Sequence, residues 1–411
     1  MVRLLDQTFE RATELLRTNA VERGLKASTA YYNQIWARDS FISFLGANLL
    51  ADEGLLKAAK ANVLTFASTA SPLGQIPNFF DLGAGAPEYG YSGSTDSSCW
   101  YIIGLASLFH ATNDRELLRR PTEAAIDAYK WLRFQDANDV WLIDSPQGAD
   151  WMDAAIQRTG KTLYNNALFL IATRCLEGLL TASGREIEER YKLTYDELKK
   201  RFTDVFLPGP ESAGRMMKYW PRLGEAYGRG ALSDFSCKYF LHFVSFSRID
   251  RKFDTLSNML CVLTGLAELE TSLAILSTAK SRGLTKPYPT RVLDPPYRAD
   301  TAGYDRSFDS KLPIQHRSEP YAYHNGGVWP FVGGVHVCAL YRLGVDEAHE
   351  ELLSLAGSNA VLRDGEQTGF NEWIHGRTGK ALGQFGQSWN AGMFIAAVMA
   401  SKGRRMFGFL E

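Results

Sequence analysis

The sequence of 411 residues lacks a charge excess of either sign, since 45 Lys and Arg stand against 46 Asp and Glu for a formal net charge of -1. Without a basic excess to neutralise phosphates, a nucleic-acid partner is not expected. Long apolar runs are also missing, because none approaches the roughly 18 residues of a membrane span. We therefore expect no membrane partner either.

Cysteine is scarce, with five scattered residues and no CxxC pair. An odd, scattered set is typical of reduced thiols in a cytosolic protein. The amphipathic, charged start MVRLLDQTFERATELL differs from a signal peptide, so a cytoplasmic location is predicted. The seven His show no HExxH spacing, and neither a GxxxxGK[ST] loop nor a G-x-S-x-G elbow occurs, so neither a metal nor a cofactor is expected.

Helical periodicity runs through almost the whole chain, in segments of two alternating kinds. One kind is apolar nearly all round, which predicts burial on every side: near 38–50, 99–109, 163–176, 256–266, 328–343 and 390–400. The other kind carries charge on one face and is expected to meet solvent: near 4–22, 54–69, 115–134, 185–206, 268–282 and 346–362.

The connections alternate in the same way. Short turns follow the buried segments at 51–53, 113–114, 183–184 and 344–345. Long loops follow the charged segments at about 23–37, 70–95, 135–161, 207–254, 283–326 and 363–386, and 207–254 could hold an extra short element. Short turns make antiparallel helix pairs, so we predict an all-α fold, an (α/α)6 barrel of about six inner and six outer helices with its long loops at one end. No linker or repeat divides the chain, which predicts a single domain over 1–411.

Tryptophan is concentrated in these loops. Eight of the nine Trp lie in the loops or in the first turn after them, at positions 36, 100, 141, 151, 220, 329, 373 and 389, whereas Trp131 lies inside an outer helix. Core packing would scatter them through the helices. Their collection at one rim suits sugar rings stacking on aromatic faces and predicts a deep carbohydrate pocket.

Two of the loops supply carboxylates. Hydrolysis of a glycosidic bond with inversion needs an acid with a raised pKa and a base on opposite sides of the sugar, roughly 6.5–9.5 Å apart. Loop 135–161 offers Asp144, Asp150 and Asp153, and Asp153 is favoured because Trp and Met precede it. Loop 363–386 offers Glu366 and Glu372, of which Glu372 is favoured between Asn and Trp. The alternatives are a helix cap for the Asp and a solvated loop carboxylate for the Glu.

Other polar groups stand beside Trp where the buried segments begin. The pattern is Trp36-Ala37-Arg38-Asp39 at one start, Asp96 before Trp100 at another, Tyr323-His324-Asn325 before Trp329 at a third, and Gln387-Ser388-Trp389 at the last. Any one of them alone could be a rim salt bridge or a cap. Their repetition at four starts indicates a sugar-binding rim.

At these residues the sequence resembles a known group. WARDSFI and ADWMDA resemble the WGRD and TWMDA segments in the glucosidase domain of glycogen-debranching enzymes. FDTLSNMLCVL, YHNGGVWP and the run from Glu372 to QSW resemble the neutral/alkaline invertases, and the mannosyl- and glucosylglycerate hydrolases have a related tail. The resemblance spans roughly residues 35–400.

That resemblance implies an (α/α)6 barrel, an inverting mechanism, Asp153 as general acid and Glu372 as general base. It also implies sugar-binding positions at Arg38, Asp39, Asp96, Trp100, His324, Asn325, Trp329, Gln387 and Trp389. We add Trp36 and Trp151 from the aromatic rim. We expect none of the additional domains of large debranching enzymes, which argues against a branched polymer as substrate, and the acid segment WMDAAIQ differs from the MIDRRMG of invertases.

The favoured function is release of a terminal α-linked glucosyl unit from a short oligosaccharide or disaccharide, as an amylo-α-1,6-glucosidase does. The alternatives are an invertase acting on sucrose and a glucosyl- or mannosylglycerate hydrolase, in which Arg158, Arg317 or Arg377 could hold the glycerate carboxylate. Outside this class stand a non-catalytic sugar-binding module and a helical prenyl-transfer enzyme, whose DDxxD-like motif is missing. The partner expected is a small carbohydrate, and a homo-oligomer is left open.

Overall fold

The computed structural model describes residues 2–90, 94–154, 156–207, 209, 212–219, 221, 238–245, 248–301, 304, 319–363 and 369–411. Helices dominate this part of the chain. In order they are α1 (Val2–Asn19), α2 (Ala37–Ala47), α3 (Glu53–Ser68), α4 (Thr95–Thr112), α5 (Arg120–Arg133), α6 (Leu163–Ser183), α7 (Tyr195–Phe206), α8 (Ser212–Tyr219), α9 (Thr255–Thr264), α10 (Leu269–Ser281), α11 (Pro330–Leu343), α12 (Ala348–Ala360) and α13 (Ser388–Ser401). None of these described helices combines the length and the apolar character that crossing a bilayer requires.

Six buried helices pack side by side in a ring. Helix α2 contacts α4, and contacts continue in chain order through α6, α9, α11 and α13 until α13 meets α2 again. The charged helices pack outside them: α1 on α13, α3 on α2 and α4, α5 on α4 and α6, α7 on α6, α10 on α9 and α12 on α11. The predicted alternation of buried and solvent-facing helices is therefore confirmed.

The burial of each helix follows its sequence pattern. Every residue of α2 and of α9 is buried. Helix α9 carries no charge, and the two charged residues of α2, Arg38 and Asp39, are buried next to each other at the start of the helix. Helix α1 buries only one stripe, which includes Thr8, Ala12, Leu15 and Leu16 at helical spacing. A continuous hydrophobic core fills the space within and between the two layers.

Glycines set a close approach between three inner helices. A Cβ atom on Gly46 of α2 would overlap the main-chain oxygen of Gly392 in α13, and one on Gly392 would lie 2.5 Å from the main chain of Ser43. Similarly, a Cβ on Gly334 of α11 would lie 2.6 Å from the carbonyl oxygen of Met393. Larger residues would push these helices apart, so the glycines fix how tightly the ring closes.

The inner helices all begin at the end of the ring that carries the long loops. Asp254 and Thr162 cap α9 and α6 there by accepting main-chain N–H bonds. The loops hold short antiparallel strands: β1 (Ala20–Val21), β2 (Gly24–Leu25), β3 (Gln34–Trp36), β4 (Phe79–Asp81), β5 (Ala86–Glu88), β6 (Lys161–Thr162), β7 (Phe243–Val244), β8 (Ile249–Asp250), β9 (Phe253–Asp254), β10 (Leu293–Asp294), β11 (Trp373–Ile374) and β12 (Ala381–Leu382). They pair as β1–β2, β3–β4–β5, β6–β7–β8, β9–β10 and β11–β12.

Two outer helices begin later than the sequence pattern predicts. Helix α5 starts at Arg120 rather than near 115, because Pro121 suits the first turn and a 3-10 turn, Arg115–Leu118, precedes it. Helix α7 starts at Tyr195 rather than near 185, because Thr194 and Glu197 form a capping box. The short turn expected at 183–184 is wrong for this reason. The extra short element expected within 207–254 is confirmed as α8.

Candidate active site

A small recess lies where the inner helices begin, with about 400 Å³ of space when its opening to solvent is included. Its wall consists of Tyr32, Trp36, Arg38, Asp39, Trp151, Asp153, Tyr323, His324, Trp329, Glu372, Gln387 and Trp389. Ten of these twelve are residues that the sequence predicts for the site. Residues more than three hundred positions apart in the chain thus share one small space.

The helix starts bring several of these residues together. Trp36 is the residue before α2, and Arg38 lies in its first turn. Trp329 precedes α11 in the same way, and Gln387 precedes α13. Because these helices are neighbours in the ring with their N-termini at one end, their first turns converge on the recess.

Asp153 lies on an irregular stretch of loop 135–161. Its carboxylate is 4.0 Å from Arg38 Nη2, and 31% of its side-chain surface stays exposed to the recess. Burial raises the pKa of Asp153 to about 7, and the charges of Asp150 and Asp96 add to this, while Arg38 opposes it. A carboxyl of this pKa can hold a proton at neutral pH and give it up.

Glu372 approaches the recess from the hairpin that β11 and β12 form. The main-chain N–H of Gln384 donates to Glu372 Oε2 at 2.9 Å, and Tyr32 Oη donates to Oε1 at 3.4 Å. Burial raises the pKa of Glu372 to about 7, and the charges of Asp39 and Asp153 add to it, while the N–H of Gln384 lowers it. Both favoured carboxyls therefore have a pKa far above that of a solvated side chain.

Arg38 connects three carboxylates. Its Nη1 donates to Asp96 Oδ2 at 3.2 Å, and its Nε is 3.6 Å from Asp39 Oδ2. Burial raises the pKa of Asp39 to about 6 in spite of this cation. With Asp153 as the third partner, Arg38 offsets part of the negative charge that the recess concentrates.

Aromatic rings form another part of the wall. Trp151 meets Trp329 edge to face at 5.6 Å between ring centres, and Trp329 meets Trp389 in the same way at 5.6 Å. His324 stacks on Trp329 at 5.0 Å, with an angle of 21° between the ring planes. Packing of this kind holds each ring in one orientation.

Several buried polar atoms of the wall have no hydrogen-bond partner among the described residues. They include the indole nitrogens of Trp36, Trp151 and Trp389, Gln387 Nε2 and Asp39 Oδ2. Buried polar groups are normally paired, so this grouping suits a ligand that brings hydroxyl groups of its own. Hydroxyls can donate and accept, which matches a wall of N–H donors and carboxylate acceptors.

Three predicted sugar-binding residues do not reach the wall. Asp96 is completely buried and holds Arg38, while Tyr164 Oη donates to its Oδ2 at 3.3 Å. Trp100 donates from Nε1 to the same Tyr164 hydroxyl at 2.8 Å. Asn325 is buried and bonds to the main chain of Tyr297 through both its amide atoms. These side chains support the wall from behind rather than meeting a ligand.

Of the seven loop Trp that the structure describes, four line the recess: Trp36, Trp151, Trp329 and Trp389. Trp100 and Trp373 are buried behind it, and Trp141 lies over the guanidinium of Arg133. Trp220 lies outside the described residues, as do Glu366 and Arg317.

The remaining loop candidates are engaged elsewhere. Asp144 accepts a bond from Lys161 Nζ at 2.7 Å. Asp150 and Arg158 form a buried pair at 2.5 Å, and Arg158 also reaches Asp254 at 3.2 Å. Arg158 is only 1% exposed, so the expectation that it could hold a glycerate carboxylate is wrong.

Two wall residues, Tyr32 and Tyr323, escape the sequence reasoning. Tyr32 contacts Glu372, and burial beside that carboxylate raises the pKa of Tyr32, so its hydroxyl stays protonated and donates. The only signal for Tyr32 in the sequence is the Tyr-Tyr pair four residues before Trp36, which a loop carries for many reasons. Tyr323 enters the sequence argument only as the neighbour of His324.

The chemistry available here is proton transfer to and from one ligand. Two carboxyls with pKa values near neutrality face the same recess, a buried cation lies beside one of them, and aromatic rings form part of the wall. One carboxyl can donate a proton to a leaving group while the other accepts one from water.

Comparisons with known proteins identify a family and similar sequences. A family model described as Amylo-alpha-1,6-glucosidase matches residues 11–395. "Probable alkaline/neutral invertase F" of Arabidopsis thaliana is 23% identical over 342 residues, covering 77% of this chain and 66% of that protein. "Cytosolic invertase 1" of Oryza sativa subsp. japonica is 24% identical over 342 residues, covering 77% of this chain and 58% of that protein. The chain thus spans about two thirds or less of the length of these relatives.

A solved structure shares the fold. The GH63 mannosylglycerate hydrolase from Thermus thermophilus, in complex with Tris, superposes with a TM-score of 0.65 at 15% sequence identity. The superposition covers 94% of this chain and 98% of that one, so nearly the whole helical ring and its loops have counterparts.

Proposed function

This chain belongs to the amylo-alpha-1,6-glucosidase family and is a glycoside hydrolase, and from that premise we propose that it releases a terminal α-linked glucosyl unit from a short oligosaccharide or disaccharide, with inversion at the anomeric carbon. The observation that carries the proposal is the pair Asp153 and Glu372. Both carboxyls line one recess, and each has a pKa of about 7. A catalytically inactive sugar-binding module would have no need of two such carboxyls.

In the proposed mechanism Asp153 is the general acid and Glu372 the general base. Asp153 protonates the glycosidic oxygen as the bond to the anomeric carbon breaks. Glu372 takes a proton from a water that attacks that carbon from the opposite side. The hydrogen bonds from Gln384 and Tyr32 hold the Glu372 carboxylate in place for that water.

We infer that the ring of helices is an (α/α)6 barrel and that residues 1–411 form one catalytic domain. The inner ring that closes from α13 onto α2 supports the barrel, and the family match over 11–395 supports the single domain. We also propose a cytoplasmic location, since Cys99, Cys175, Cys261 and Cys338 are free, buried thiols.

A small recess with an aromatic wall favours a single terminal sugar over the middle of a chain. The indole N–H groups and Gln387 are placed to receive hydroxyls, and the stacked wall suits the apolar face of a pyranose. Sucrose is the second candidate, because the curated relatives named above are invertases. A glycosylglycerate would need a cation for its carboxylate. Among the arginines considered for that role, Arg377 is exposed to solvent, and its guanidinium lies over the ring of Tyr321.

A proton-NMR time course tests the proposal. The purified enzyme is given isomaltose, panose, sucrose and glucosylglycerate in turn, and the anomeric signals are followed before mutarotation. We expect β-glucose to appear first from isomaltose or panose. Appearance of α-glucose first would refute inversion, and cleavage of sucrose or glucosylglycerate alone would replace the proposed substrate.

The pH dependence of kcat/KM should be bell-shaped with its maximum near neutrality. Glu372 must be ionised and Asp153 protonated, and both have a pKa of about 7, so the two titrate as a coupled pair. Activity should fall at lower pH as the pair binds a second proton and at higher pH as it loses the last one. Circular dichroism across the range would separate these limbs from unfolding, and a profile that is flat from about pH 5 to 9 would contradict both assignments.

Gly383→Ala should lower kcat by about tenfold or more, because the added Cβ would overlap Glu372 Oε2 and displace the base. Gly379→Ala is the matched control on the same hairpin. Its φ of +72° equals that of Gly383, +73°, within a degree, but its Cβ would meet nothing closer than 3.6 Å. Backbone strain is therefore common to the two variants, and equal losses of activity in both would show that contact with Glu372 is not the cause.

A further inference from the structure

Asp150 stands three residues before the proposed acid and is 4% exposed. We propose that Asp150 is a positioning residue for Asp153: its carboxylate, fixed between Arg158 and Asn165, holds the main chain at Met152 and so aims the Asp153 side chain into the recess. This inference rests on the proposed function, since it assigns a role to the loop that carries the acid.

Every oxygen of Asp150 is engaged. Oδ1 accepts from the main-chain N–H of Met152 at 2.9 Å and from Arg158 Nη2 at 2.5 Å. Oδ2 accepts from Asn165 Nδ2 at 2.9 Å. The loop is thereby fastened to the first turn of the inner helix α6.

Arg158 extends the connection to a second inner helix. Its Nη1 donates to Asp254 Oδ2 at 3.2 Å, and Asp254 is the N-cap of α9. Asp150, Arg158 and Asp254 are all buried, so solvent does not screen their attraction. Two adjacent helices of the ring therefore define where the loop runs.

The Asp153 side chain has little of its own to hold it. Among the described residues its carboxylate makes no hydrogen bond, and its nearest cation, Arg38, is 4.0 Å away. Residues 151–154 form neither helix nor strand. The main chain on both sides is anchored instead, by Asp150 at Met152 N and by His324 Nδ1 at the carbonyl oxygen of Ala154, 3.0 Å away.

Asp150 also contributes charge. Four charged groups shift the pKa of Asp153: Arg38 and Asp39 of α2, Asp96 of α4 and Asp150 of its own loop. The charge of Asp153 in turn raises the pKa values of Glu372, Tyr32 and Tyr323 on the facing loops. The negative charge of Asp150 raises the pKa of Asp153. Without that charge, the pKa of Asp153 falls and the acid loses its proton at lower pH.

The test compares Asp150→Asn with Asp144→Asn, a carboxylate of the same loop that instead bonds Lys161 and the N–H of Ala137. Each full-length variant is assayed on the glucoside that the wild type cleaves and on its 2,4-dinitrophenyl counterpart, whose leaving group needs no proton. For Asp150→Asn we expect kcat on the first substrate to fall by about tenfold or more and on the second by less than about threefold. The alkaline limb of its kcat/KM profile should move to lower pH, and Asp144→Asn should show neither change.

Equal losses on both substrates with an unmoved alkaline limb would mean that Asp150 only stabilises the fold, and the inference would fail. Should Asp150→Asn not fold, Arg158→Lys keeps the positive charge but cannot reach Asp150 and Asp254 together. For Arg158→Lys we expect kcat to fall more on the glucoside than on its dinitrophenyl counterpart, while the alkaline limb of the kcat/KM profile stays in place. Equal losses of kcat on both substrates would overturn the inference. A wild type that cleaves none of these glycosides would instead refute the proposed function.

Discussion

Glu372→Gln is expected to lower kcat by about 10²- to 10⁴-fold, because the amide has the shape of the carboxylate but cannot take a proton from the attacking water. The amide oxygen can still accept the hydrogen bond from Gln384 or from Tyr32, so the hairpin should keep its conformation. Steady-state rates on the cleaved glucoside measure the effect. Residual activity above about one tenth of wild type would rule out Glu372 as the base.

Stability supplies the control for this variant. Since burial raises the pKa of Glu372 to about 7, its proton stabilises the folded state fully below the unfolded pKa of about 4.5, and that stabilisation is lost as the pH rises through about 7. The glutamine avoids the cost of an ionised buried carboxylate. At about pH 8 the variant should therefore unfold at a temperature equal to or above that of the wild type. A lower midpoint would mean that part of the lost activity comes from damage to the fold.

Asp153→Asn is expected to lower kcat by about 10²- to 10⁴-fold on a substrate with a sugar leaving group, and by less than about tenfold on a 2,4-dinitrophenyl glucoside. The asparagine has no proton to give the departing oxygen, whereas dinitrophenolate departs without one. The two substrates share the glucosyl unit, so binding in the recess changes equally for both. Comparison of kcat on the two isolates the proton donation.

Azide offers a check on the direction of attack. With Glu372→Gln, added azide can replace the water that the base would activate, and with Asp153→Asn it cannot supply the missing proton. We therefore expect azide to restore turnover of the dinitrophenyl substrate in the first variant and to yield a glycosyl azide of inverted configuration. Rescue in the second variant alone would exchange the two assignments.

Much of the fold can be predicted from the sequence because the physical signal is repeated. Inner segments such as 256–266 are apolar on every side, and only a helix surrounded by other helices can bury such a surface. Helix boundaries are less predictable where capping competes with periodicity, as at Thr194, whose capping box delays α7 by about ten residues relative to the pattern.

The candidate site is predictable to the extent that it sits at helix starts. Trp36, Arg38 and Gln387 lie within two residues of the beginning of an inner helix, so their convergence follows from the ring. Tyr32 lies on a loop whose course depends on distant pairings, and the Tyr-Tyr pair that contains it is too weak a signal to assign it to the site. Nor can a sequence distinguish a side chain on the wall from one behind it, which is why Asp96 and Trp100 are expected from the sequence to bind sugar.

Arg158 illustrates the same limit for charges. As a loop arginine it is expected to be available to an anionic ligand, but the fold brings Asp150 and Asp254 to it from positions 8 and 96 residues away. A buried cation of this kind is retained by its partners, since exposing any one of the three charges to an apolar interior alone would be costly.

The glycine contact between α2 and α13 has a consequence for how the chain reaches this structure. Gly46 and Gly392 touch where the ring closes, although nearly the whole sequence separates them. Closing so long a loop is entropically costly, and the contact is unavailable on the ribosome until α13 has emerged. The earlier helix pairs can form locally during synthesis, but the ring must wait with one edge of its core uncovered. This architecture is therefore most exposed to aggregation at that uncovered edge during translation, before the ring has closed. The stability of the finished ring does not remove this risk.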